Sequence, residues 1–234
     1  MELAGAENSQ KSVCAISADT FRRIYLLAII AGFSRGVYGG KRLQKVTYLT
    51  ERKRPSLRPF EFKKYIYGQF SETLEEVKEQ LISLGLIAAL PLHTSMKMTT
   101  KLDDRIGEWL EGGLRYVVTD QQAVASLLES FLAMSPELVS AIRSTIKEFG
   151  YLPEQELIER CYDLPEFKKT DFEELLLEAN LPAKVETTNL NEDSCEELDM
   201  ALSPNFIVSM KRIADGLEDS RLDIEKVAKG GVPV

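Results

Sequence analysis

Few side chains in this sequence could carry catalysis or hold a metal. Its 234 residues include one histidine, His93, and three cysteines, Cys14, Cys161 and Cys195. A histidine triad or a zinc site would have to be assembled around His93, and no cysteine or carboxylate stands near it at ligand spacing. The cysteines are far apart with no CxxC, which argues for a reducing, cytoplasmic setting and against a disulfide framework or a zinc site. Cys161 lies on an apolar helical stretch and reads as a small buried hydrophobe. In the pairs Asp103-Asp104 and Glu173-Glu174 the carboxylates are adjacent, so on a helix or strand they diverge and form no acid/base couple. GFSRGVYGGK (32–41) suggests a phosphate loop, yet it lacks the GxxxxGK[ST] spacing and follows a helix rather than a strand. The residues ask for no enzyme, no cofactor and no metal.

Charge points to binding instead. The net charge of −8 combines 15 basic and 9 acidic residues over positions 1–100 with 14 and 28 over the rest. Residues 35–64 alone carry Arg35, Lys41, Arg42, Lys45, Arg52, Lys53, Arg54, Arg58, Lys63 and Lys64 against Glu51 and Glu61. A basic face and an acidic body fit a polyanionic ligand, an acidic partner, or mutual attraction within the molecule.

Two stripes sharpen this. At about 100° per residue, a helix over 72–84 turns Leu74, Val77, Leu81 and Leu84 inward and Glu72, Glu75, Glu76 and Glu79 outward, with Lys78 at the margin. Four carboxylates facing phosphates make a poor reader of a DNA groove but a fitting dock for a basic protein. The preceding helix reads the reverse way. With Leu43, Val46 and Thr50 inward, its outer stripe is Lys41, Lys45, Tyr48 and Arg52, continuing into Lys53, Arg54 and Arg58. An aromatic among bases suits a surface that tracks phosphates or stacks on bases. It suits an ordinary amphipathic surface helix equally well.

These faces need elements to hold them. Residues 1–17 read as a disordered tail. Asp19 or Thr20 caps a first helix to about Ala31, so apolar over Ile24–Ile30 that it must be nearly surrounded. Glycines 32, 36, 39 and 40 mark a turn; KRLQKVTYLTERK forms a second helix ending before Pro55. FEFKKYIYG reads as a strand near 60–67. Ser71 caps the third helix, and Gly85 ends it. IAALPL (87–92) and LRYVVTD (114–120) form a wing separated by a long insertion, in which Leu102, Ile106, Trp109 and Leu110 suit a short helix. From Gln121 the pattern is helical through DFEELLLEANL, with Pro136 and Pro153 at first-turn positions. Residues 183–202 read as an acidic linker, and 203–234 as a last helix and tail. No apolar run reaches the roughly 18 residues a spanning helix needs, and no secretory signal is evident.

The motifs GGKRLQKVTYLTE, YIYGQFSETLEEVKEQLISLGLI and YVVTD resemble the YwgA-type winged-helix family of uncharacterised prokaryotic proteins. More distantly they resemble the Panacea, or SocA-like, antitoxin domains. ELIERCYDLPEF (156–167) is similar to a YwgA-type downstream segment, whereas Gln69 stands where the family's turn usually has proline. The resemblance implies a regulatory or toxin-neutralising role, often linked to phage defence, and supplies no catalytic residues.

The expected fold is mainly α (α+β): a winged helix-turn-helix at 18–120 with a small β wing, and a helical extension at 121–182 packed on it. The expected function is a cytoplasmic, non-catalytic regulator or adaptor. A protein partner (a toxin, an effector or a complex subunit) would dock on Glu72, Glu75, Glu76 and Glu79. The alternative is a DNA-binding transcriptional regulator using Lys41, Lys45, Tyr48, Arg52, Lys53 and Arg54, with Lys97 and Lys101 in the wing. It would dimerise through residues 203–217.

Overall fold

The computed structural model describes residues 14–54, 57–92, 113–120, parts of 122–129, 135–187 and 192–202. His93, Lys97, Lys101, Asp103-Asp104, the insertion helix and the proposed dimer helix at 203–217 lie outside the described residues.

Ser17 ends one strand and starts a helix. β1 (Cys14–Ser17) leads directly into α1 (Ala18–Ala31), and the Ser17 hydroxyl accepts the Thr20 N–H at 3.2 Å. The cap is therefore Ser17 rather than Asp19 or Thr20, and residues 14–17 are strand rather than tail. As its composition requires, α1 is surrounded: Ile24, Tyr25, Leu26, Leu27, Ile29 and Ile30 are all buried.

β2 (Val37–Tyr38) and α2 (Gly40–Arg52) follow the glycine turn, with Gly36 and Gly39 at positive φ. A hairpin of β3 (Phe62–Tyr65) and β4 (Gly68–Phe70) then leads to α3 (Glu72–Ser83). Ser71 caps α3 as expected, its Oγ accepting the Leu74 N–H at 3.3 Å. Past the α3 C-terminus, Gly85 has φ +68°, and Leu86 N–H closes onto the Leu81 carbonyl at 3.1 Å. That closure satisfies helix-end carbonyls in the manner of a Schellman turn. The expected wing strands are β5 (Ile87–Pro91) and β6 (Leu114–Val118), antiparallel with Ala89 opposite Tyr116; β2 joins the far edge to give the order β2-β6-β5.

The later chain is less helical than its pattern predicts. α4 (Pro136–Thr145) runs into a π turn (Ile146–Gly150), followed by α5 (Glu154–Tyr162) and a short α6 (Pro165–Lys169). DFEELLLEANL does not continue as a helix. It forms β7 (Leu175–Leu177) on the edge of the hairpin, giving the order β4-β3-β7. Glu173 takes φ +65°, which breaks a helix, and its N–H pairs with the Lys64 carbonyl at 2.7 Å. The expected acidic linker contains β8 (Lys184–Thr187), paired with β1, and α7 (Glu192–Ala201). Its composition misleads because a few of its side chains, Cys195, Leu198 and Leu202 among them, turn into the core. Cys14 and Cys195 are joined as a disulfide, contrary to the expectation from their spacing, while Cys161 is free and buried as expected. The pairing removes the cysteine argument for a reducing compartment.

The architecture is thus α+β: helices packed around one hydrophobic core with three small antiparallel sheets at its margins. Among the described residues, no helix is long and apolar enough to cross a membrane.

α2 departs most from its sequence pattern. Every residue from Leu43 to Glu51 is buried, because α1, α4, α5, β2 and β4 enclose it. Its buried Gln44 is bonded on both sides of the amide: it clamps Ser71, donating to its carbonyl at 3.1 Å and accepting its N–H at 2.9 Å. Glu51 accepts the Phe60 N–H at 3.3 Å, and burial holds its carboxyl well above the usual carboxylate range despite Arg58 and Arg22 nearby. A carboxyl raised in the folded state contributes its full stabilisation below its unfolded pKa and loses it as pH climbs through the folded value. Glu51→Gln keeps the size and the acceptor but cannot ionise. Its urea midpoint is expected to exceed the wild type's by a margin that widens from about pH 5 to about pH 8. A margin independent of pH would show that Glu51 does not titrate in this way.

Candidate functional site

The structure divides the predicted basic stripe into two groups. Tyr48 is buried and donates its hydroxyl to Glu166 at 3.0 Å. Arg52 pairs with the same carboxylate, Lys53 with Glu148 at 2.8 Å, and Arg54 with Glu137 at 3.0 Å. Burial would raise the Glu166 carboxyl, but the Arg52 and Tyr48 hydrogen bonds outweigh it and hold the group below its ordinary value. Farther along, Lys64 donates to the Phe167 and Thr170 carbonyls. The basic segment is thus occupied by the acidic half of its own chain, the third of the readings open to its charge pattern. Four of the six residues proposed for nucleic acid are spent this way. The outward face expected for Lys45 and Tyr48 does not exist, because α4 and α5 pack against that side of α2.

Lys41 and Lys45 meet a different fate. They line a cavity of about 580 Å³ between the N-terminal end of α2, the β3–β4 turn and α3. Lys45 is 1% exposed, and its ammonium donates to the Tyr67 carbonyl at 2.6 Å. Burial lowers its pKa, and the neighbouring Lys41 charge lowers it further, against Cys161 and Glu154 acting the other way. Lys41 lies at the rim, 4.4 Å from the centre of the Tyr67 ring. Tyr65, Phe70 and Tyr116 supply further aromatic wall. Gln69 is buried; its amide donates to the Cys161 carbonyl at 3.2 Å, while its Oε1 has no hydrogen-bond partner among the described residues. Gly68, at φ +104°, leaves room for the Lys45 ammonium: a Cβ there would lie 2.7 Å from Nζ.

The acidic stripe on α3 is also divided. Leu74, Val77 and Leu81 are buried as expected, and Glu72, Glu76 and Glu79 are exposed. Glu75 is not part of that outer face. It turns into the cavity, accepting from Gln44 at 2.9 Å and pairing with Lys78. Lys78, predicted at the margin, is buried over the Tyr116 ring. Burial pushes its ammonium down, and Glu75, by hydrogen bond and charge, carries it back above its ordinary value. Next to the stripe, the β3–β4 turn exposes Ile66 (73%) and Tyr67 (66%), and Tyr65 donates its hydroxyl to Glu72 at 3.5 Å.

Reading α2 as a surface helix hid the cavity, because it turned Lys45 to solvent and left Gln69 as a mere departure from proline. The usable signal is YIYGQF (65–70): two exposed large side chains, a positive-φ glycine and a buried amide within six residues. Among the described residues, no cluster of three His, Cys, Asp or Glu side chains is placed to hold a metal ion. No protein-family model, curated protein or solved structure matches the chain, so the functional reading rests on this geometry.

Proposed function

We propose that this chain is a winged-helix protein acting without catalysis, a regulator or adaptor that binds a basic protein partner through α3. The role would be antitoxin-like or that of a subunit in a phage-defence assembly, as the YwgA-type and Panacea resemblance implies. The winged-helix reading draws support from the succession α1, β2, α2, α3, β5, β6 and the sheet order β2-β6-β5. In that arrangement α3 takes the place of a recognition helix.

One observation carries the protein-binding reading. Glu72, Glu76 and Glu79 stand exposed on α3, whereas Lys45 on α2 is buried and Arg52, Lys53 and Arg54 at its end are paired within the chain. The surface offered is therefore carboxylate-rich, with Ile66 and Tyr67 as an apolar edge. Complementary potential with a basic partner steers association and fixes register, and a buried aromatic gives such an interface its anchor. The DNA-binding alternative is weaker, since Tyr48, Arg52, Lys53 and Arg54 would have to leave Glu166, Glu148 and Glu137.

The test is a pull-down from source cells, nuclease-treated, with the wild type and with Glu72, Glu76 and Glu79 all changed to Lys. Glu75 is left intact because it supports Lys78. The triple variant is expected to lose its protein partner, with affinity down roughly a hundredfold from several reversed contacts. Undiminished capture of the same partner would overturn the docking surface. Recovery of defined-sequence DNA in place of protein would favour the transcriptional regulator.

A further inference from the structure

Lys45 carries a buried ammonium at the edge of this cavity. Its side chain is 1% exposed, and among the described residues its ammonium meets one acceptor, the Tyr67 carbonyl, and no carboxylate within ion-pair distance. A buried ammonium is costly unless it is paired or gives up its proton, and an anion in the cavity would supply the pairing. Lys41, one helical turn earlier on the same cavity, adds a second positive charge where like charges at this spacing repel.

Two further observations describe the rest of the ligand. The aromatic rings of Tyr65, Tyr67, Phe70 and Tyr116 line the same space, so its body is planar and apolar. Gln69 offers an unpartnered buried Oε1, which needs a donor. The volume, about 580 Å³, lies within the range of small-ligand pockets.

We propose that this cavity binds a nucleoside monophosphate. The phosphate sits against Lys45 and Lys41, while the Glu75 carboxylate on the same cavity is held by Lys78 and Gln44. The base stacks on the tyrosine wall and gives an N–H to Gln69 Oε1. A simple dicarboxylate would leave the rings uncovered. A polynucleotide would need a continuing track of cations, but beyond Lys45 that side of α2 is spent on Glu166, Glu148 and Glu137. The site does not depend on the docking reading of α3, because Glu72, Glu76 and Glu79 are not among the residues lining the cavity.

Isothermal titration of the full chain with AMP, GMP, CMP and UMP, and with adenosine and inorganic phosphate as parts of the ligand, tests the proposal. At least one monophosphate is expected to bind, with adenosine and phosphate each weaker by tenfold or more. Lys45→Met keeps the buried volume and removes the charge; Lys41→Ala alters an exposed residue and leaves the core untouched. Each is expected to weaken the nucleotide roughly tenfold or more, the loss of a charge-assisted contact. Circular dichroism checks that both variants are folded, and should Lys45→Met fail to fold, Lys41→Ala decides. No binding of any monophosphate at millimolar concentration would overturn the proposal. So would wild-type affinity in a folded variant, or inorganic phosphate binding as tightly as the nucleotides. The Glu72/Glu76/Glu79→Lys protein should retain its nucleotide affinity, separating this site from the partner surface.

Discussion

Replacing Cys14 and Cys195 by serine is expected to lower unfolding stability by about 5 kcal/mol, the loop-closure value for a cross-link of this span. The disulfide joins β1 to α7 across a sequence separation of 181 residues. Without it, the unfolded chain regains the freedom to separate its ends, and in the folded protein other contacts must hold the same junction. The Ser17 N–H donates to both carboxylate oxygens of Asp199 at 3.0 and 3.1 Å, β8 pairs along β1, and Arg23 donates to the Leu202 carbonyl. Urea unfolding of the oxidised wild type, the reduced wild type and the double serine variant measures the effect. The reduced wild type should unfold with the variant, well below the oxidised protein. Coincident midpoints for all three would show that the cross-link contributes nothing.

Gly68→Ala is expected to destabilise the fold by roughly 2–4 kcal/mol, from backbone strain plus overpacking. Its φ of +104° is one that a side chain rarely adopts. The added Cβ would also meet Lys45 Nζ at 2.7 Å and Tyr162 Cε1 at 3.1 Å. Neither neighbour can retreat easily. Lys45 is held by the Tyr67 carbonyl, and the Tyr162 ring stacks on Phe167 at 4.7 Å while its hydroxyl donates to the Ile66 carbonyl. Gly85→Ala is the matched control, since Gly85 also has positive φ but nothing lies within 4 Å of its Cβ position. Gly85→Ala should show only the backbone cost, about 1 kcal/mol. Equal shifts in the urea midpoints of the two variants would mean that the contacts around Gly68 are not tight.

Much of the fold was readable where one strong local signal met one environment. The unbroken apolar stretch of α1, the Ser71 cap and Gly85 stop of α3, and the pairing of β5 with β6 are of this kind. The failures share a physical cause, in that distant contacts overrode local character. DFEELLLEANL has good helix formers, yet the edge of β3 offered hydrogen bonds to residues 175–177 and Glu173 turned the chain to reach it. β8 and α7 carry too few apolar residues to announce themselves, but three side chains suffice when a strand and a cysteine await them. On α2 the polar residues suggested solvent, where the structure instead supplies a bonded interior. Of the candidate sites, the exposure of Glu72, Glu76 and Glu79 followed from periodicity. The inward turn of Glu75 and the cavity it helps line did not, because Gln44, Lys78 and Gln69 come together only in three dimensions.

The distant pairings also determine when this protein can fold as it is made. β3 emerges from the ribosome more than a hundred residues before β7, and β1 still earlier relative to β8. Until residues 175–202 appear, the β3 edge is unpaired, Arg23 lacks the Leu202 carbonyl and Cys14 has no partner. Such a nascent chain presents an apolar helix and a bare strand edge to its surroundings, the features that invite aggregation or chaperone capture. Truncations that remove β8 and α7 should therefore be handled as incomplete folding units, whatever portion of the earlier elements they retain.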